Sequence, residues 1–231
     1  MQKVFARVEE EEYCRDLEDQ FFSDNTALLL SPRVSESLSK RIMDVSISLS
    51  LLVFVLSWLY PIVWLLIKSS SKGPVIFKQL RHGKDNIPFY CYKFRTLKMN
   101  READFRQTSI NDPRITPIGR ILRRTSIDEL PQIFNVLKGE MSIVGPRPHP
   151  LLLNDVYARE HRDLMKRHVV KPGITGLAQA KGYRGAIRES RQMASRLKLD
   201  FFYIKKGTVW MDLIIIFWTA KLILLKNDNA Y

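Results

Sequence analysis

The sequence predicts a mainly α fold with a few short strands, attached to a membrane by part of its length. Three observations predict it. Residues 45–67 form an apolar run of 23 residues without a charge. Residues 209–225 form a second apolar stretch, interrupted by Asp212 and Lys221. Between the two lie short amphipathic and β-like segments, separated by proline- and glycine-containing turns.

The first run is long enough to cross a bilayer. Its straight helix would rise ~34 Å against a hydrocarbon core of ~30 Å. Two features oppose a simple span. Arg33, Lys40 and Arg41 precede the run and Lys68, Lys72, Lys78 and Arg81 follow it, so both ends favour the same, cytoplasmic side. Pro61 lies inside it, where it removes a helix hydrogen bond, and Ser57 stands one turn earlier to satisfy a freed carbonyl. From these residues a kinked span and a re-entrant helical hairpin with its apex near Ser57 and Pro61 both stay open. In the second stretch, a charge at mid-bilayer would cost about 2.5–3.5 kcal/mol. An interfacial helix or a buried core helix is therefore expected there, not a span.

The segments between follow in order. Residues 75–77 and 89–94 read as strands. Residues 118–124 suit a short helix with a basic face. Residues 132–137 suit another, closed by Lys138 and Gly139. Pro146, Pro148 and Pro150 keep the chain extended around Arg147. Residues 151–169 and 187–199 are expected to be helical, and residues 171–176 (KPGITG) to form a loop.

Composition bounds the function. Charged residues make up 26% and apolar residues 45%, which is a globular balance and not a disordered one. Net charge is +13. Residues 1–39 hold nine acidic and four basic side chains, so the remainder carries +18. A basic body points to nucleic acid, anionic headgroups or phosphorylated substrates, and no nucleic-acid-binding motif is present. Cys14 and Cys91 form no CxxC pair, so reduced thiols are expected. No signal-peptide pattern opens the sequence. The P-loop, GxGxxG, GxSxG and HExxH patterns are absent, and the four histidines lack metal-ligand spacing.

The chemistry concentrates at residues 123–132, RRTSIDELPQ. Ser126 and Glu129 match a capping box, an ordinary structural role. Pro131 alters that reading. With Asp128 as N-cap, the proline falls at the third helical position, where no N–H is needed. Adjacent carboxylates would then stand at a helix mouth behind Arg123 and Arg124, in a setting that binds phosphate. One carboxylate there can act as a nucleophile on phosphorus, and the pair can hold Mg²⁺. Lys93, Arg95, Arg147 and Lys171 are further basic residues expected to converge on the pair.

Several segments resemble the bacterial sugar transferases, the monotopic phosphoglycosyl transferases. They are KRIMD (40–44), the apolar run, YKFRT (92–96), DELPQ (128–132), FNVLKGEMS (134–142), VGPRP (144–148) and KPGITG (171–176). The resemblance covers about residues 38–226. It implies a monotopic membrane protein with a re-entrant helical hairpin and a small cytosolic catalytic domain carrying interfacial helices. The implied divisions are an acidic extension (1–39), a membrane helix–break–helix (40–68) and a cytosolic domain (69–231). It implies that Asp128 attacks a UDP-sugar, releases UMP and passes a hexose-1-phosphate to polyprenyl (undecaprenyl) phosphate, with Glu129 assisting at the metal or in proton handling. Mg²⁺ is the implied cofactor, with Mn²⁺ an alternative. Lys93, Arg95, Arg123 and Arg147 are assigned to phosphate, and Lys171, Thr175, Lys181 and Arg184 to a nucleotide- or sugar-facing loop. The implied setting is the cytoplasmic face of a bacterial inner membrane, at the first membrane step of exopolysaccharide, capsule, O-antigen or glycoprotein glycan assembly. A bilayer is an implied partner, nucleic acid is not, and a homodimer stays open. Three departures stand out: Tyr60 precedes Pro61 where short members often carry Ser, Leu177 replaces a frequent Trp, and Lys181 a frequent Asn. The multi-span N-terminal domain of larger members is not expected. A membrane-tethered polyanion-binding or scaffold protein without catalysis is the competing reading.

Overall fold

A computed structural model describes residues 37–99, 108–109, 112–185 and 190–225. Most of the acidic extension, and the start of the helix expected from residue 187, lie outside the described residues. Helices dominate, joined by two small two-stranded sheets.

The first helix, α1, runs Leu38–Ser70 and is long and apolar enough to cross a membrane. Ser37 caps it by accepting from the Lys40 amide at 3.2 Å. The backbone stays helical throughout, so no helix–break–helix is seen. Its irregularity is a π-helical turn at Leu52–Leu56, one turn ahead of Pro61. Wider i→i+5 bonds spread the disturbance that the missing proline N–H would otherwise concentrate. Ser57 Oγ donates to the Val53 carbonyl at 2.6 Å and the Trp58 indole to Phe54 at 2.8 Å.

Both ends of α1 dock on the same body. At its start Lys40 Nζ reaches Asp212 at 2.7 Å, the Val144 carbonyl at 3.1 Å and Tyr203 Oη at 3.2 Å. Arg41 caps carbonyls 136 and 137, and Asp44 accepts from Ser142 Oγ and the Ile143 amide. Just past its end, Arg95 donates to the carbonyls of Ser71 and Lys72 at 2.6 and 2.8 Å. Between these anchors Leu49, Val53, Phe54, Trp58, Ile62, Trp64, Leu65 and Leu66 stay exposed.

Strands β1 (Ile76–His82) and β2 (Pro88–Phe94) pair antiparallel, with Gln79 opposite Cys91 and Phe77 opposite Lys93. Gln79, Arg81, Phe89 and Cys91 face inward while Leu80 and Tyr90 face out. Thr116 caps α2 (Pro117–Arg124), its Oγ1 accepting from the Gly119 amide at 2.9 Å. A 3₁₀ turn, Ile127–Gln132, leads into α3 (Ile133–Lys138), which Gly139 ends at φ +85° as its position after Lys138 requires. Asn135, fully buried, ties α3 to β2 by accepting from the Tyr92 amide and donating to the Tyr90 carbonyl.

The segment expected as a loop at 171–176 contains β4 (Gly173–Thr175), parallel to β3 (Ser142–Val144). A Cβ on Gly173 would stand 2.1 Å from the Gly145 amide nitrogen, so glycine permits the pairing. The helix expected over 151–169 divides into α4 (Leu151–Glu160) and a 3₁₀ turn, Leu164–Val169. The turn drives Arg167 inward to Asp200 at 2.9 Å and stacks His168 on His82. After α5 (Leu177–Ala180), α6 (Ser190–Lys206) and α7 (Val209–Leu224) close the fold.

Two apolar clusters result. One joins Phe89, Cys91, Val136, Val144, Tyr203 and Ile215; the other joins Leu56, Val63, Ile67, Phe94, Leu122 and Ile133. Strand β2 contributes to both. On α7, Asp212 and Ile215 are buried while Trp210, Leu213, Phe217 and Leu224 form an exposed apolar stripe. This helix is therefore packed on one side and apolar but exposed on the other.

Asp212→Ala would leave the Lys40 ammonium buried without its anion. A loss of about 3–5 kcal/mol is expected, read as a lower unfolding midpoint in detergent. The apolar double variant Lys40→Met/Asp212→Leu should lose far less, since it buries no unpaired charge.

Candidate active site

The acidic pair sits where β2, the 3₁₀ turn and the proline-rich segment after β3 meet. The structure places the helix start differently from the sequence expectation. Ser126, not Asp128, precedes the first turn, and its backbone is left-handed at φ +60°. The capping box does not form. The Glu129 amide bonds the Ser126 carbonyl at 3.1 Å, while Ser126 Oγ accepts from Arg184 at 2.6 Å. Pro131 thus lies inside the 3₁₀ turn, fifth after Ser126 and not third after Asp128.

The two carboxylates have unlike surroundings. Glu129 Oε1 accepts from Lys93 Nζ at 2.7 Å and from Arg147 at 2.5 Å, and its Oε2 from Arg147 at 3.2 Å. Arg184 lies 3.9 Å from Oε2. Burial pushes the Glu129 carboxyl up, yet Arg147 and Lys93 outweigh it and hold the group well below the usual carboxylate range. Asp128 is as deeply placed, but among the described residues no donor bonds its carboxylate. Burial, then the neighbouring Glu129 charge, pushes its pKa up against the pull of Lys93, Arg123 and Arg147. The pair titrates as a coupled unit with one member locked as an anion and the other more basic. A basic carboxylate with open oxygens is the better nucleophile of the two.

The cations come from separate elements. Lys93 projects from the inner face of β2. Arg147 is donated by the extended segment between Pro146 and Pro148. Arg123 ends α2 and bonds Thr96 Oγ1 at 2.8 Å and Thr108 Oγ1 at 3.2 Å. With Arg184, expected in a nucleotide- or sugar-facing loop, they surround the acidic turn. Arg95 does not join them; it clamps the exit of α1. Lys171 stands near Gly139 and Arg41. Thr175 Oγ1 pairs with Thr219 Oγ1 at 2.6 Å, and Lys181 lies over the Trp218 ring at 4.3 Å. Among the described residues, none of these four is bonded to the acidic pair.

Arg81 is a site residue that the sequence reading missed. It is buried on β1 and donates to the Pro148 carbonyl at 2.7 Å and to Gln79 at 2.9 Å, which braces the segment carrying Arg147. The available signal was Gln79 and Arg81 at alternate strand positions, a polar inner face on a β-hairpin. Five cations thus act on two carboxylates. That surplus suits an incoming diphosphate.

Among the described residues, no group of three or more His, Cys, Asp or Glu converges to cage a metal. Mg²⁺ does not need one, because one or two carboxylates with substrate phosphates and water suffice. Asp128 has oxygens open for that role. Both Glu129 oxygens are already engaged.

The bacterial sugar transferase family matches residues 35–226. The chain belongs to the bacterial sugar transferase family. A UDP-glucose:undecaprenyl-phosphate glucose-1-phosphate transferase of Klebsiella pneumoniae is 45% identical over 182 residues, 78% of this chain and 39% of that protein. A transferase of the same description from Caulobacter vibrioides is 42% identical, over 87% of this chain and 74% of its own length. An undecaprenyl-phosphate galactose phosphotransferase of Salmonella typhimurium is 39% identical over 83% of this chain and 41% of its own. This bacterial sugar transferase chain therefore spans about two fifths of the Klebsiella and Salmonella relatives.

The placement of the two arginines is testable by titrating UDP calorimetrically. Arg147→Ala should weaken UDP binding about tenfold or more, at ~1.5–3 kcal/mol for a charged hydrogen bond. Arg95→Ala should lower the unfolding midpoint and leave UDP affinity within about twofold.

Proposed function

We propose that this protein transfers a hexose-1-phosphate from a UDP-sugar to undecaprenyl phosphate at the cytoplasmic face of a bacterial inner membrane. The observation that carries the reading is the contrast within the acidic pair: Asp128 open and flanked by cations, Glu129 locked between Lys93 and Arg147. A carboxylate oxygen of Asp128 attacks the phosphorus that bears the sugar. The bond from that phosphorus to the UMP oxygen breaks, and UMP leaves with the electron pair. An aspartyl-phosphosugar remains. A phosphate oxygen of the lipid then attacks the same phosphorus, the acyl-phosphate bond breaks, and the Asp128 carboxylate returns.

The chain's own residues supply the electrostatics. Lys93, Arg123 and Arg147 stabilise charge gathering on the phosphoryl oxygens. Glu129 keeps Lys93 and Arg147 aimed at the site before substrate arrives. Mg²⁺, or Mn²⁺ in its place, would be held by Asp128 with substrate oxygens and would neutralise diphosphate charge. The relatives' named sugars include glucose and galactose, so a UDP-hexose is the donor class. The product suits the first membrane step of exopolysaccharide or related glycan assembly.

Attachment is read as monotopic. A 33-residue straight helix would run ~50 Å, yet both ends of α1 anchor to one small body. Its exposed apolar middle, and the stripe on α7, then enter the same leaflet.

Purified protein given labelled UDP-sugars and Mg²⁺ should release UMP and, with undecaprenyl phosphate, form the lipid-linked sugar. Asp128→Asn should release none; full turnover by that variant would remove Asp128 as the nucleophile. For topology, cysteines placed at Ser39 and Ser69 in a background without Cys14 and Cys91 should both react from the cytoplasmic side. Reaction from opposite faces would establish a span.

A further inference from the structure

The structure assigns Ser126 and Arg184 a positioning role: together they form a latch that sets where the Asp128 carboxylate stands. The inference rests on the transfer reaction proposed above and concerns how its nucleophile is aimed.

Ser126 adopts a backbone that L-residues take at a cost, φ +60° and ψ +13°. Among the described residues, the other non-glycine positions with positive φ are Asp85 and Asn86. Their side chains suit that conformation, and they lie in the β1–β2 connection, far simpler to satisfy. Ser126 has no such intrinsic preference, so something outside the turn must hold it. Its hydroxyl, which the sequence offers as a helix cap, caps nothing. It accepts instead from Arg184 at 2.6 Å, across 58 residues of chain.

Arg184 is itself anchored. Its amide bonds the Gly182 carbonyl at 2.9 Å, in a turn that Gly182 enters at φ +93°. The next carbonyl, of Gly185, accepts from Arg196 of α6. Arg184 therefore reaches the acidic turn from a braced loop.

The consequence falls on Asp128. Among the described residues no donor bonds its carboxylate, so no side chain orients it. Its direction follows from the backbone of residues 126–129. That stretch opens on the bond from the Glu129 amide to the Ser126 carbonyl, and the left-handed φ and ψ of Ser126 set the direction in which the turn leaves α2. Releasing Ser126 swings the turn and misplaces the attacking oxygen. Arg184 approaches Glu129 Oε2 only at 3.9 Å while it bonds Ser126 at 2.6 Å, so it acts on the reaction chiefly through Ser126, whereas Arg147 is hydrogen-bonded to Glu129.

The experiment measures single-turnover UMP release from a UDP-sugar, without lipid acceptor, on the full chain in detergent. Ser126→Ala and Arg184→Met should each slow release about tenfold to a hundredfold, the size expected for a nucleophile displaced by ~1 Å. The donor concentration giving half-maximal rate should change less than about threefold. The double variant should be no slower than the slower single one, because both break the same latch. Ser126→Asn tolerates positive φ and retains an acceptor for Arg184, so it should recover most of the rate. Losses that multiply in the double variant, or that appear as weaker donor binding, overturn the latch and make Arg184 a direct donor ligand. A wild-type protein that releases no UMP from any UDP-sugar sinks the transferase reading instead. The latch is then decided by the same double-variant cycle on unfolding free energy: coupled losses support it and additive losses overturn it.

Discussion

A buried ion pair, Lys40–Asp212, joins the two helices that carry exposed apolar faces. It links the first turn of α1 to α7 at 2.7 Å, and Tyr203 Oη and the Val144 carbonyl complete the cluster. Burying two charges is costly and is repaid only where partners are close and complete. Here the cost secures position. The exposed apolar middle of α1 and the apolar stripe of α7 are held in one relation to β3, and β3 leads directly into the segment bearing Arg147. This cluster, with Arg95 at the other end of α1, fixes those apolar surfaces relative to the cationic site.

The site uses charge in two steps. Glu129 is an anion kept for its cations: it orders Lys93 and Arg147, which would otherwise repel each other. Asp128 next to it is left without a bonded partner. Neighbouring carboxylates with unlike environments commonly hold unlike roles. Close packing supports the arrangement. Gly145, Gly173 and Gly176 let β3 and β4 approach so nearly that a Cβ on any of them would meet backbone within 2.5 Å. The proline-rich segment after β3 is pinned there, and Arg81 holds its far side through the Pro148 carbonyl.

Much of this was legible in residue order. The apolar run, the two strands of the hairpin, the basic-faced helix, the Gly139-terminated helix and the acidic pair all depend on neighbours within a few positions. Local dihedral preference, periodicity and the absence of charge are properties that a linear string carries. The mixed character of residues 209–225 was also visible, since Asp212 in an apolar stretch demanded a partner. That the partner is Lys40, 172 residues away, was not visible.

What tertiary structure decided was which basic residues share a centre. Lys93 and Arg95 are two positions apart, yet one holds Glu129 and the other seals the end of α1. Alternation in a strand should place them on one face, but β2 ends at Phe94 and the chain turns before Arg95. Leu80 faces out and Arg81 in because the hairpin's inner face lines a polar site, which reverses the ordinary burial order. Ser126 bonds Arg184 in place of its own helix because a left-handed backbone moves its hydroxyl away from the turn. Each of these outcomes depends on long-range electrostatics in a buried setting, where a charge goes to whichever partner the fold brings close. Sequence spacing does not encode that distance.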